Sequence, residues 1–386
     1  MNNNTAEVVI IGAGIIGASV AYHLAIRGCT DVLILEKAEA PITGSTALSA
    51  GGVRHQFARE VNIHLSKYSI DRFKNFSEEV GGHADLRQTG YLFLINKEDT
   101  WAQFQEQVKL QRSLGVRVEL LEARETLKYV PGIRLDDIVG ATFGPDDGFC
   151  DPYGISSGYL KRARELGVRV ALSTPVISAQ LHGDHLVAVE TPDGLVRGEF
   201  VVNACGAWSG QVAALFGIDL PVEPYRRNAY MTERFPKFPD PIPLTFDVET
   251  GFWMRKEGDS VLFGLANAAE PPGVNLNVDW EWLPEVLEAG IERFPLLEEA
   301  RLAKKQCWAG LYGISPDHMP ILGRHPETPN YLHASGFSGH GVMHSPATGM
   351  LIAEEILDGR AHSINIDDLR ITRFRNMSVE SETNVY

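Results

Sequence analysis

Residues 8–36 decide the fold: Val8-Val9-Ile10-Ile11, then Gly12-Ala13-Gly14-Ile15-Ile16-Gly17, a helical stretch to about Gly28, Val32-Leu33-Ile34-Leu35 and, at its end, Glu36. A short apolar run before a glycine turn reads as a strand buried on both faces. The three glycines have separate tasks. Gly12 permits the turn, Gly14 lets backbone approach a pyrophosphate, and Gly17 lets the helix pack on the strand. The helix N-terminus offers unpaired N–H groups and the positive end of a dipole to phosphates. Glu36, about 20 residues past Gly17, is placed to accept from a ribose hydroxyl, and an acid there disfavours the 2′-phosphate of NADP. Strand, turn, helix, strand and acid together point to an adenine dinucleotide.

The rest of the chain bounds this reading. Its 386 residues are 44% hydrophobic, with 37 Gly and 21 Pro, which excludes a disordered protein. The length suggests two or three domains. A net charge of −15 with no basic block argues against nucleic acid and anionic membranes. Cys29, Cys150, Cys205 and Cys307 stand far apart, which fits a reducing compartment better than disulfides or zinc. The first seven residues carry no Lys or Arg, so a secretory signal is not expected. Val8 to Ile26 is uncharged and long enough to suggest a membrane span. Its spaced glycines, with Ser19, Tyr22 and His23, fit a soluble helix instead, and a cytoplasmic protein is expected.

After Glu36 comes a run of small and hydroxylic residues, Pro41-Ile42-Thr43-Gly44-Ser45-Thr46-Ala47-Leu48-Ser49-Ala50-Gly51-Gly52. Further on stand Asp151-Pro152-Tyr153-Gly154 with Thr174-Pro175-Val176, and Val201-Val202-Asn203-Ala204-Cys205-Gly206-Ala207-Trp208. Last come Trp308-Ala309-Gly310-Leu311-Tyr312, Ser315-Pro316-Asp317-His318-Met319-Pro320, and Gly336-Phe337-Ser338-Gly339-His340-Gly341-Val342. In this order the motifs resemble the FAD-dependent amine and amino-acid oxidoreductases of the D-amino acid oxidase superfamily. That group includes glycine and sarcosine oxidases, dimethylglycine dehydrogenase and the flavin subunit of bacterial proline dehydrogenases. The resemblance spans essentially the whole chain.

It implies an α/β (α+β overall) fold: a Rossmann-like FAD-binding domain carrying an inserted, mostly antiparallel substrate domain. Residues 1–84, 149–218 and 308–370 are expected to form the first, 85–148 and 219–307 the second, and 371–386 a polar tail that frays or packs on the surface. FAD is expected along Gly12, Gly14, Ile15, Ile16, Gly17, Glu36 and Lys37, and along Ser45, Thr46, Ser49, Ala50, Gly51 and Gly52. It continues past Val176, past Ala204, Cys205, Gly206 and Trp208, past Gly310, and through Gly336, Phe337, Ser338, Gly339, His340, Gly341 and Val342. A helix starting near Val342 would present its N-terminus to the flavin edge that gathers negative charge on reduction.

The implied reaction passes a hydride from a carbon bearing an amine nitrogen to the flavin. Arg54, directly after the glycine segment, is the expected carboxylate clamp, because a guanidinium fork suits a carboxylate. A surface ion pair or a phosphate contact are its other readings. His55 is a polariser or a plain loop residue. His340 is either a turn-filler or an imidazole that helps deprotonate a substrate amine. His340 and His344 are spaced i, i+4, but no third ligand is near and no metal is expected.

Departures narrow the expectation. Tyr312 stands where glycine oxidases carry a carboxylate-binding Arg. Leu48 and Gly310 stand where dimethylglycine dehydrogenase and monomeric sarcosine oxidase attach FAD, so noncovalent FAD is expected. Leu262 falls at the oxygen-activating Lys of sarcosine oxidase, which favours a dehydrogenase over an oxidase, with Arg255 and Lys256 as nearby cations. The substrate is expected to be a small secondary or N-methylated amino or imino acid such as sarcosine, dimethylglycine or proline. The electron acceptor is O2 or another molecule, and a partner subunit or homo-oligomer is compatible. The two competing readings are a flavin hydroxylase and a non-catalytic flavoprotein assembly factor.

Overall fold

The computed structural model describes residues 4–375 and 381–384. The opening motif folds as a strand, Thr5–Ile11, and a helix, Ile15–Ile26. Gly12 adopts φ +106°, and a Cβ on Gly17 would lie 2.0 Å from the Gly12 carbonyl oxygen, so only glycine lets this helix close on its strand. The uncharged run therefore breaks into two elements. Twelve helical residues rise only about 18 Å, and no described helix is long and apolar enough to cross a membrane.

Around the opening strand lies an eight-stranded sheet. Thr5–Ile11 pairs in parallel with Val32–Leu35 on one side and Gly194–Asn203 on the other. Arg169–Ala171 continues the sheet beyond Val32–Leu35, and Thr328–Ser335 with Ile321–His325 continues it beyond Gly194–Asn203. The apolar strand centres Val8–Ile10 and Val32–Ile34 have almost no exposure because helices cover one face while Leu186, Val189 and Phe216 pack against the other. Helix Ile15–Ile26 is held between Pro152–Glu165 and the long helix Gly341–Leu357. Asp151 caps the former by accepting from Tyr153 N–H, and Ser19 Oγ donates to Ser345 O at 2.7 Å to pin the latter.

The two insertions build a second eight-stranded sheet. Its order is Trp308–Ile314, Glu223–Met231, Ser260–Gly264, Trp253–Glu257, Leu244–Asp247, Tyr91–Ile95, Gly140–Gly144 and Glu119–Leu121. All of its pairings are antiparallel except Leu244–Asp247 on Tyr91–Ile95. The strand Trp308–Ile314, grouped from sequence with the cofactor segments, hydrogen-bonds along Glu223–Met231 from Ala229↔Trp308 to Glu223↔Ile314. It thereby carries Gly310 and Tyr312 to the seam between the sheets.

The described end of the tail does not fray. Glu382 and Asn384 are 2% and 1% exposed. Residues 376–380 and 385–386, also part of the expected tail, lie outside the described residues.

Candidate active site

An elongated cavity of about 650 Å³ follows the seam. One end is walled by Gly12, Gly14, Ile15, Ile16, Glu36 and Lys37, with Thr174, Pro175 and Val176. Glu36 is fixed there, Oε2 accepting from Ala13 N–H at 2.8 Å and Oε1 from Ala38 N–H at 2.9 Å. Thr174 N–H donates to Glu36 O at 2.7 Å, which ties the Thr174–Val176 segment to the same corner. Lys37 Nζ lies 3.9 Å from the centre of the Trp208 ring, and burial draws its pKa down.

The middle of the cavity runs past Ser45, Thr46, Ser49 and Ala50 on one wall and Ala204, Cys205, Gly206 and Trp208 on the other. The helix Ile15–Ile26 has no side-chain hydrogen bond at its Gly14 cap; Thr46 Oγ1 accepts from Ile15 N–H at 3.1 Å. Ser45 Oγ is buried on the wall with no partner among the described residues. Open first-turn amides, an orphaned hydroxyl and a pinned acid suit the phosphates and ribose of a dinucleotide. The residues fit FAD.

At the far end stand Gly310, Tyr312, Gly336, Phe337, Ser338, Gly339, Gly341 and Val342. Leu48 and Gly310 meet here: a Cβ on Gly310 would be 3.1 Å from Leu48 Cβ, and Trp308 Nε1 donates to Leu48 O at 2.9 Å. Neither can form a covalent link to a flavin. Cys307 is not on the wall, and its Sγ faces Met231 N–H at 3.5 Å. Helix Gly341–Leu357 begins here with no side-chain cap on its first amides.

Gly17, Gly51, Gly52 and His340 stand behind the wall rather than on it. Gly51 is held against Cys150, whose N–H donates to Gly51 O at 2.9 Å, and Gly52 pairs with Phe149. The three residues expected to do chemistry are also buried behind it. Arg54, 3% exposed, donates from Nη1 to Gln56 O at 2.6 Å. From Nη2 it donates to Asn384 O and, at 3.2 Å, to His340 Nε2. Its guanidinium carbon sits 4.2 Å from the Phe57 ring centre. His55 Nδ1 meets Asp147 Oδ1 at 2.6 Å, and that oxygen also accepts from His55 N–H.

His340 accepts a hydrogen bond from Arg54 at Nε2, so its own proton sits on Nδ1, which has no partner among the described residues. Burial first, then Arg54 and His344, push its pKa well below the ordinary 6.5. It is neutral across the physiological range, which fits the turn-filling one of its two sequence readings better than an imidazole titrating near neutral pH. His344 is likewise held neutral by burial, at about 3, and its Nε2 meets Ser66 Oγ at 3.0 Å.

The structure also brings in residues the sequence reading passed over: Arg227, Asn228 and Ala229 from strand Glu223–Met231, with Trp253, Leu265, Ala266 and Leu276. The paired Arg226-Arg227 was the available signal. Arg255 donates from Nε to Ala50 O and from Nη1 to Glu257, and Lys256 Nζ reaches Phe238 O. Neither lines the cavity, and Leu262 is wholly buried.

Comparison with known proteins agrees with this geometry. Over 98% of its length the chain is 32% identical to FAD-dependent oxidoreductase domain-containing protein 1 of Xenopus laevis, covering 85% of that protein. It is 30% identical to the mitochondrial dimethylglycine dehydrogenase of Rattus norvegicus over 92% of its own length, spanning only 43% of that longer protein. The crystal structure of L-proline dehydrogenase from P. horikoshii superposes with a TM-score of 0.90 at 30% identity, covering 98% of this chain and 100% of that one. The family model for FAD dependent oxidoreductases matches residues 7–355, and the chain belongs to that family.

Proposed function

We propose that the protein oxidises the C–N bond of a small secondary or N-methylated amino acid, with sarcosine, dimethylglycine and proline as model substrates. The observation that carries this reading is the single continuous cavity, which joins a phosphate-cradling turn to a chamber under the second sheet. That chamber has apolar walls in Trp253, Leu265 and Leu276 and a cation in Arg227, the composition a small carboxylated amine requires. The names of the dimethylglycine and L-proline dehydrogenases among the similar proteins support the same substrate class.

FAD supplies the hydride acceptor when bound. In this proposal Gly12, Gly14, Ser45 and Thr46 hold its phosphates, Glu36 its ribose, and the Gly336–Gly341 loop with the following helix N-terminus the flavin edge. Residues 1–84, 149–218 and 315–370 act as the cofactor unit, and 85–148 and 219–307 roof the chamber together with the strand Trp308–Ile314. Arg54 and His340 work as a buried post behind the flavin loop. His340, neutral, keeps Arg54 oriented and takes no substrate proton. Leu48 and Gly310 leave FAD noncovalent. With Leu262 apolar and buried, electrons pass to an acceptor other than O2.

The test is anaerobic addition of amino and imino acids to purified holoenzyme. Bleaching of the flavin by sarcosine, dimethylglycine or proline is expected. Bleaching by NADPH alone, or by no amine, overturns the proposal. Acid precipitation should release the yellow colour to the supernatant; colour kept in the pellet contradicts noncovalent FAD.

A further inference from the structure

Most arginines drawn into this structure have a carboxylate. Arg226 meets Glu270 at 2.8 Å and Asp279 at 2.6 Å, and Arg293 meets Asp137 at 2.7 Å and Asp247 at 2.6 Å. Arg227 does not. Half-buried on the chamber wall, it donates from Nη1 to the Arg226 carbonyl at 2.9 Å, and its Nε has no partner among the described residues. Adjacent strand residues point to opposite faces, so Arg226 turns to its acids while Arg227 turns to the cavity. Across the strand pair Arg227 faces Gly310, which has no side chain to block it. Its guanidinium stands 5.3 Å from the ring centre of Tyr312, the diagonal neighbour.

We infer that Arg227 is the anchor for the substrate carboxylate, its Nε–Nη2 edge taking both oxygens over the Tyr312 ring. The inference rests on the proposed amino-acid oxidation and deepens it: the substrate must carry a free carboxylate. The physical reason is the uncompensated charge. A guanidinium stays protonated, and partial burial without an acid leaves its desolvation unreturned until an anion arrives. Burial indeed pulls the Arg227 pKa down. Arg54, the other cation near Tyr312, already donates to Gln56, Asn384 and His340 from behind the wall. A carboxylate would have to displace those partners to reach it.

The experiment compares wild-type, Arg227→Gln and Arg227→Lys holoenzymes with sarcosine or proline and with the matching neutral carboxamide. FAD content should be unchanged in both variants. For the acid, KM should rise about 10- to 100-fold in Arg227→Gln, the worth of a hydrogen bond to a charged group, and less in Arg227→Lys. For the carboxamide the same substitution should change little, which a merely structural role would not reproduce. Unchanged KM for the acid, or equal losses for acid and carboxamide, overturns the inference. Loss of FAD from both variants places Arg227 at the cofactor and overturns it too. Pyrrole-2-carboxylate, which cannot be oxidised in this way, separates the two readings when titrated against the flavin spectrum. If no amino or imino acid bleaches the wild type, the proposed reaction falls, whereas weakened pyrrole-2-carboxylate binding in Arg227→Gln still supports the anion site.

Discussion

Replacing Glu382 by Ala should detach the C-terminal segment from the buried Arg54 cluster, at a cost that can be worked out. The Glu382 carboxylate accepts from Ala58 N–H at 2.9 Å, Arg59 N–H at 3.2 Å and Asn62 Nδ2 at 2.8 Å. These are groups at the start of helix Glu60–Lys74, which has no side-chain hydrogen bond from its own Arg59 cap. A charged cap at a helix N-terminus is worth about 1 kcal/mol. Leaving the wholly buried Asn62 amide without its acceptor adds about 1–3 kcal/mol. The loss is therefore about 2–4 kcal/mol. Unfolding entropy near 2.1 cal/mol/K per residue gives roughly 0.8 kcal/mol/K for this chain, so Tm should fall by about 2–5 °C. Glu382→Gln, which keeps one acceptor, should lose about half as much. Melting followed by flavin fluorescence measures the shift, and limited proteolysis measures release of the tail. An unchanged Tm with undiminished protection of the C-terminus would refute the claim that this carboxylate supports the helix.

Acid should weaken the fold earlier than carboxylate chemistry requires. Burial holds His23 at about 4 and His333 and His344 at about 3, against an ordinary 6.5 in the unfolded chain. Their contribution is intact above pH 6.5 and is lost as pH falls from 6.5 to about 4 for His23 and about 3 for His333 and His344, because the unfolded state takes the protons first. At about 1.4 kcal/mol per histidine per pH unit, the three together cost about 4 kcal/mol at pH 5.5. Urea midpoints at pH 7.5 and 5.5 check this, and equal midpoints would contradict it. Two glycines of the turn should part company under substitution. Gly17→Ala drives a Cβ to 2.0 Å from the Gly12 oxygen and should yield little folded protein. Gly14→Ala meets only Thr46 Oγ1, at 3.3 Å, and should fold while binding FAD about 10- to 100-fold more weakly, the cost of filling reserved space. Circular dichroism and FAD titration distinguish them, and tight FAD binding by Gly14→Ala would refute the cradle.

The parts of the molecule legible in the sequence are those whose chemistry is local. The turn at Gly12–Gly17 needs glycine for backbone reasons that hold wherever the motif occurs, and Glu36 follows at a spacing set by one helix and one strand. The same holds for the glycine loop before Val342, where a helix start is written into adjacent residues. What escaped reading depends on contacts between distant segments. Strand Trp308–Ile314 belongs to the second sheet only because Glu223–Met231 lies beside it, a pairing no local pattern announces. Glu382 and Asn384 look like ordinary solvated tail residues until helix Glu60–Lys74 and Arg54 supply their partners.

The two arginines show how this changes a functional argument. Sequence adjacency to the glycine segment made Arg54 the natural clamp, yet adjacency brings a residue near a cofactor without stating which way its side chain turns. Arg54 turns inward and is satisfied by two carbonyls and a neutral imidazole. Arg227 sits far from every recognisable motif, but strand alternation aims it into the chamber and denies it the acids that its neighbour takes. Reactivity follows the unmet electrostatic need rather than closeness to the fingerprint. The position that governs substrate choice is accordingly sought on the roof strand, while the opening motif governs cofactor retention.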